Sequence, residues 1–386
     1  MKVKNRPAFR FKYALQWVFP VHNFRYETKT SSSHQFRATS GLNGPDALKY
    51  AKFKSPDLIL LDIMMPEMDG YEVCRRLKAD PDTRDIPVLF ITSLDEIENK
   101  TNAFEVGAVD YITKPFELLE IKARVKTHLT LKMARQALAA QRDRLQQSLD
   151  LAMEVQQSLL PKENPRLAGL DIAGRSVYCD ETGGDYYDFL NLGPGKIGLV
   201  VGDVSGHGIQ SALLMTTVRG SLRQRIQKPD RLAQIVADLN RQFHSDVESS
   251  GHFMTLFVCE VDTGNRSLRW IRAGHDPAMV YNVAAGTFHE LGGGGLPLGV
   301  AQNSQFEERT GAFDHQQVLV IGTDGIWETF DIEGNRFGKD KLKKVIRSTA
   351  HLPAEAMAER VIEAVQHFRH PLKIEDDVTL VIVKFE

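Results

Sequence analysis

Ile197-Gly198-Leu199-Val200-Val201-Gly202-Asp203-Val204-Ser205-Gly206-His207-Gly208 is the stretch on which the reading of this chain turns. A short apolar run enters it, as a buried strand would, and delivers a carboxylate into a glycine-rich turn. A strand in a rigid sheet can aim Asp203, and the glycines let backbone approach an ion closely. The same pattern recurs where Val318 to Ile321 leads into Gly322-Thr323-Asp324-Gly325. Two more acidic features flank these: Gly183-Gly184-Asp185-Tyr186-Tyr187-Asp188-Phe189 before, and Glu375-Asp376-Asp377-Val378-Thr379-Leu380 near the end. An isolated Asp-Gly is a turn far more often than a ligand, and Glu375-Asp376-Asp377 alone reads as a solvated strand entrance. Four such signals in one order within one domain argue otherwise.

Carboxylates converging without His or Cys make a hard, oxygen-only site, which favours Mn²⁺ or Mg²⁺ over zinc. Two such ions about 4 Å apart stabilise in-line displacement at phosphorus. Gly292 to Gly295 lacks a following Lys-Ser/Thr and is poor as a nucleotide loop.

Outward from this core, strands are expected at Ile197 to Val201, Met254 to Val261, Leu268 to Ile271, Val318 to Ile321 and Val378 to Val383. Helices are expected at Gln210 to Ile226, Arg231 to Asp246, Asp340 to Ser348 and Ala354 to Phe368. Upstream, Glu117 to Leu160 holds neither Gly nor Pro, and Leu131, Leu138, Leu145, Ala152 and Leu159 recur every seven residues. That predicts a long helix with a modest coiled-coil seam, ended by Pro161.

The region from about Gln156 to Glu386 resembles the metal-dependent (PPM-type) serine/threonine protein phosphatases, in the bacterial branch of stage II sporulation and sigma-regulator enzymes. Further marks are Val155-Gln156-Gln157-Ser158-Leu159-Leu160-Pro161, Ala273-Gly274-His275-Asp276-Pro277-Ala278 and Pro297-Leu298-Gly299-Val300. The resemblance implies a β-sandwich flanked by helices, with two Mn²⁺ or Mg²⁺ ions in a cleft at one end. It implies ligand roles for Asp185, Asp203, Asp324, Asp376 and the Val204 carbonyl, with Asp377 the alternative to Asp376, and close backbone approach at Gly184 and Gly325. His207 follows Asp203 at a greater distance than the family's histidine follows its central aspartate. It therefore reads as a loop histidine ahead of a general acid, and His275 as a structural residue.

Before the long helix, Leu58 to Leu61 and Val88 to Ile91 are short buried strands, Asp110 to Thr113 a third, with helices at Tyr71 to Ala79 and Ile97 to Val106. This alternation implies a parallel sheet with crossovers. Leu60-Leu61-Asp62-Ile63-Met64-Met65-Pro66-Glu67-Met68-Asp69-Gly70 resembles the phosphoacceptor segment of response-regulator receivers. Thr92, Tyr111 and Lys114-Pro115-Phe116 match that family's switch hydroxyl, switch aromatic and lysine. The resemblance implies phosphorylation of Asp62 by a histidine kinase.

One element of that family is missing. Receivers open with a strand ending in adjacent acidic residues that bind Mg²⁺, whereas Glu27 is the only acid here before Asp46. Tyr13 to Val18 or Phe19 to Phe24 could substitute as a strand, but neither supplies the charges. Mg²⁺ would keep Asp62 and the Met64 carbonyl, and two ligands are few. Three readings stand: a pseudo-receiver, a divergent start, or a frame error at the 5′ end. The abrupt basic, aperiodic texture of residues 1–35 favours the last.

The expected organisation is an atypical segment 1–35, a doubly wound receiver-like domain 36–128, a helical linker 129–165 and a phosphatase domain 166–386. Formal net charge is −2, with 48 basic and 50 acidic residues, which gives no support to a nucleic-acid binder. Cys74, Cys179 and Cys259 are too scattered for a disulfide framework or a zinc site, and no apolar run approaches the roughly 20 residues of a membrane span. No signal peptide is read, so a cytoplasmic site is expected. The function expected is dephosphorylation of serine or threonine on a partner, an anti-sigma-factor antagonist by resemblance, in a homodimer joined through the long helix. The alternatives are a non-catalytic scaffold and a hydrolase of small phosphate esters.

Overall fold

The structure, a computed structural model, describes residues 13–18, 36–41, 43–93, 100–180, 182–228 and 230–386. It divides into two compact units, the boundary falling between Arg144 and Leu145.

The first unit is a parallel sheet with crossover helices. Its elements run β1 (Tyr13–Val18), β2 (Phe36–Gly41), α1 (Gly44–Lys54), β3 (Leu58–Asp62), α2 (Gly70–Ala79), β4 (Val88–Ser93), α3 (Lys100–Glu105), β5 (Asp110–Lys114) and α4 (Leu118–Leu159). Strand order is β2-β1-β3-β4-β5, all parallel, a doubly wound arrangement. All five residues of β3 are buried because helices cover both faces of the sheet. Ile59 and Leu61 join one cluster with Val73 and Leu77, while Leu58 and Leu60 join another with Ile121 and Val125. Asn43 and Asp69 cap α1 and α2 by accepting the amides of Asp46 and Glu72. Tyr13–Val18, one of the two segments considered for a first strand, lies between β2 and β3, so the sheet begins ahead of Phe36. Phe19 to Phe24 lies outside the described residues, as does the start of the helix expected at Ile97.

The second unit is a sandwich. Its strands are β6 (Leu170–Val177), β7 (Asp185–Asn191), β8 (Lys196–Val204), β9 (Met254–Asp262), β10 (Ser267–Ala273), β11 (Ala278–Asn282), β12 (Thr287–Leu291), β13 (Arg309–Ala312), β14 (Gln317–Gly322) and β15 (Val378–Phe385). They form two antiparallel sheets, ordered β13-β10-β9-β8-β7 and β12-β11-β14-β15-β6. The helices are α5 (Ile209–Arg225), α6 (Leu232–Val247), α7 (Gly338–Thr349) and α8 (Ala354–Arg369).

Alternation along the strands explains the layering. Leu199 and Val201 face Leu319, Ile321, Val381 and Val383 between the sheets. Val200 and Val204 face outward under Met215, Val218 and Leu222 of α5 and Leu239 of α6. Val318 and Val320 likewise meet Leu342, Met357 and Val361 of α7 and α8. Each side chain so buried contributes about 1.5–3 kcal/mol. Among the described residues, no helix is long and apolar enough to cross a membrane.

Candidate active site

Asp185 and Asp203 sit directly opposite one another where β7 and β8 pair. The other sheet contributes from its two central strands: Asp324 follows β14, and Asp376 and Asp377 precede β15. Side-chain contacts bind the two sheets at this end. Thr323 Oγ1 donates to Asp185 Oδ2 at 2.8 Å, and the Thr379 amide donates to Thr323 Oγ1 at 3.0 Å. Asp185, Thr323 and Thr379 are all buried.

The adjacent acids near the C-terminus point to different tasks. Asp377 Oδ1 accepts the Cys179 amide at 2.9 Å, and its Oδ2 accepts those of Gly184 at 2.8 Å and Asp185 at 3.3 Å. It is a buried clamp on the chain that leads into β7. Asp376 Oδ1 accepts the Asp377 amide at 2.9 Å, and its carboxyl interacts with the charges of Asp324, Asp377 and His207.

The carboxyls of this group are coupled by charge. Burial first, then the charges of Asp324, Asp376 and Asp377, push the Asp203 carboxyl up to about 8. Burial, Asp203 and Asp377 raise Asp185 well above the ordinary carboxylate range. Burial is also the main cause for Asp376, pushed up to about 6. Asp324 is raised by burial, Glu328 and Asp276. Among the described residues, no three acidic, histidine or cysteine side chains are gathered closely enough to hold an ion as they stand.

Two glycines permit this crowding. A Cβ on Gly184 would lie 2.7 Å from the Val204 carbonyl oxygen, and one on Gly325 only 1.9 Å from that of Asp377. Both are positions for which the family resemblance implies close backbone approach.

At the exposed rim, His207 Nδ1 lies 2.6 Å from Asp180 Oδ2. His275 is buried, its Nδ1 2.8 Å from Thr255 Oγ1, and burial lowers its pKa to about 4. Sequence reasoning missed Thr323, Thr379 and Gln156, whose residue types carry no chemical flag. It also left Asp188 unassigned: that carboxylate is buried between Arg223 Nε at 2.6 Å and the Tyr186 hydroxyl at 2.7 Å, tying α5 to β7.

Residues 193–386, half of the chain, match the family described as stage II sporulation protein E (SpoIIE). The chain belongs to the SpoIIE family. Residues 26–126 match the response regulator receiver domain, so this SpoIIE-family member couples a receiver to a PP2C-type serine/threonine phosphatase domain. It is 26% identical over 249 residues to the phosphoserine phosphatase RsbU of Bacillus subtilis, covering 64% of this chain and 73% of RsbU. It is 41% identical over 111 residues to the response regulator PleD of Caulobacter vibrioides, covering 29% of this chain but only 24% of PleD. Among solved structures, the SiaA-PP2C domain of Pseudomonas aeruginosa superposes with a TM-score of 0.58 at 21% identity, covering 64% of this chain and 100% of that domain. That likeness supports the sandwich fold. The RsbU and RsbW domains of a Mycobacterium tuberculosis protein give 0.50 at 26% identity, covering 57% and 61%. PP2C-type phosphatases depend on Mg²⁺ or Mn²⁺ as a family.

In the receiver, Asp62 is buried at the end of β3, and Lys114 Nζ lies 2.7 Å from its Oδ2. Thr92 is buried on the neighbouring strand β4, and Tyr111 stands edge-on to Phe104. Val18 is paired with Leu61, one residue before Asp62; the next residues in the sequence are Phe19 and Pro20, where receivers carry acids.

Proposed function

We propose that this enzyme hydrolyses phosphoserine or phosphothreonine on a partner protein, using two divalent cations held by Asp185, Asp203, Asp324, Asp376 and the Val204 carbonyl. What supports this reading most is the placement of carboxylates from both sheets at one end of the sandwich, where Asp185 lies directly opposite Asp203 and burial, then the charges of Asp324, Asp376 and Asp377, raise the Asp203 carboxyl. Such a donor set fits a hard divalent cation, and Mn²⁺ or Mg²⁺ bound there supplies Lewis-acid stabilisation of charge at phosphorus.

The protein's own groups orient that site. Thr323 fixes one Asp185 oxygen, and Asp377 fixes the backbone of the chain leading to it, so we assign the ligand role to Asp376 and the clamp to Asp377. His207 Nδ1 faces Asp180 Oδ2, which leaves its Nε2 as the candidate donor to the leaving serine oxygen.

By family resemblance the partner is a small anti-sigma-factor antagonist, and the setting is the cytoplasm. We assign residues 36–128, together with β1, to the receiver, 129–165 to the linker and 166–386 to the phosphatase. Asp62 is the proposed phosphoacceptor for a histidine kinase, with Thr92, Tyr111 and Lys114 sensing the added charge. Leu131, Leu138 and Leu145 are exposed along α4, as a parallel coiled coil between two copies would require before pairing.

The full chain with Mn²⁺, assayed on a phosphoserine protein and on a small chromogenic phosphate ester, tests the substrate class. A kcat/KM on the order of a hundredfold higher for the protein is expected. Equal turnover of both would remove the protein-substrate assignment.

A further inference from the structure

We propose that Gln156 is a positioning residue of the phosphatase, tying the last turn of α4 to the loop that carries Asp185. The inference rests on the reading of Asp185 as a metal ligand and extends it to the linker helix. Most side chains of α4 between 134 and 150 are exposed, whereas Gln156 is buried, at 4% exposure. Its Nε2 donates to the Gly183 carbonyl at 2.7 Å, and its Oε1 accepts the Gly183 amide at 3.2 Å. The side-chain amide thus uses both its donor and its acceptor on one residue, as a neighbouring strand would.

That residue is two positions before Asp185. Gly184 and Asp185 are held from another direction by Asp377, so the approach to β7 is gripped between the end of α4 and the start of β15. A leucine or methionine would fill the same space without the cost of burying an amide. Glutamine adds direction: it sets the tilt of the Gly183 peptide groups, and with them where the Asp185 carboxylate stands relative to Asp203. A displacement of the last turn of α4 would therefore move a carboxylate of the site without any contact to substrate.

The test uses the full chain, Mn²⁺ alone as the binding probe, and Q156M, which keeps the volume but makes neither hydrogen bond. Q156A is the second variant. Isothermal titration should show Mn²⁺ binding about tenfold weaker, the size expected from losing two hydrogen bonds of about 1 kcal/mol each with partial relaxation. Turnover should recover in large part at high Mn²⁺. Hydrogen–deuterium exchange should quicken in the segment 178–190 and stay unchanged in β9 and β14. Wild-type Mn²⁺ affinity together with wild-type exchange in that segment would overturn the proposal, whatever the melting temperature. D203N is the control on the underlying reading. If D203N binds Mn²⁺ like the wild type, the metal assignment fails, and exchange in Q156M still decides whether Gln156 positions the loop.

Discussion

Asp62 at the end of β3 and Asp203 in β8 are carboxylates reached by similar apolar strands, yet their surroundings differ in kind. Asp62 is met by a lysine of the next-but-one strand, 2.7 Å away. Asp203 is met by other carboxylates, and burial with their repulsion pushes it up to about 8. One site is balanced by the protein's own charge. The other gathers like charges, and in the proposed function a divalent cation balances them. The contrast teaches that an acidic residue at a strand end does not define a site until its electrostatic complement is known.

The largest effect should come from removing that complement's anchors. D203N and D324N should each lower phosphatase turnover at least about a thousandfold, comparable to losing a major transition-state contact, while the circular dichroism of the chain stays native. Turnover within tenfold of wild type in both variants would put the chemistry elsewhere.

Metal removal should then expose the cost of burying and crowding these carboxylates as a pH dependence. A carboxylate whose folded pKa lies above its unfolded value binds its proton more tightly in the folded state. Folded-state stability therefore falls as pH rises from the unfolded pKa through the folded one. For Asp376 and Asp203 that window runs from about 4 to about 6 and about 8. In EDTA the phosphatase unit should melt at least about 5 °C lower at pH 8 than at pH 5.5, and Mn²⁺ at a hundred times its Kd should restore about 2.7 kcal/mol. A melting temperature in EDTA that climbs over the same range would contradict the shared-charge picture.

Much of this architecture was legible before the structure, for a physical reason. Strands β3, β8, β14 and β15 are covered on both faces, so they read as nearly continuous apolar runs; the first three lead towards Asp62, Asp203 and Asp324, and β15 follows directly on Asp376 and Asp377. The edge strands β12 and β13, Thr287–Leu291 and Arg309–Ala312, are mostly exposed and carry no such run. Four acidic motifs are the residues from which the proposed site is built, but single letters could not separate Asp376 from Asp377. That distinction comes from which of them meets the backbone of residues 179–185, a contact between segments almost 200 residues apart. Gln156 was quoted only as part of a family mark, and its role was not legible for the same reason: its partner lies 27 residues away, and its residue type suits an exposed helix equally well.

A pair of variants sharpens the division of labour within the acidic site. D377N keeps the shape but exchanges an acceptor oxygen for a donor that would face backbone amides. It should lower stability by about 1–3 kcal/mol by leaving buried amides unpaired. D376N should raise the melting temperature in EDTA at pH 8, where it removes a carboxylate that is costly to ionise in the folded state, while weakening Mn²⁺ binding. If the two variants exchange these behaviours in urea melts and calorimetry, the ligand and clamp assignments must be exchanged as well.

The smallest effect belongs to the self-balanced site. Lys114→Ala leaves Asp62 buried without its lysine, and unpairing a buried carboxylate is costly. The lysine is 40% exposed, however, so solvent already screens part of the attraction. The receiver should therefore lose only about 1–2 kcal/mol, read as a lower urea midpoint of its own transition. D62N should offset part of that loss when added to the Lys114→Ala variant, because it removes the charge the lysine had balanced. A double variant no more stable than Lys114→Ala alone would mean that Lys114 supports the receiver by packing, and that the contrast with Asp203 lies in burial and not in charge.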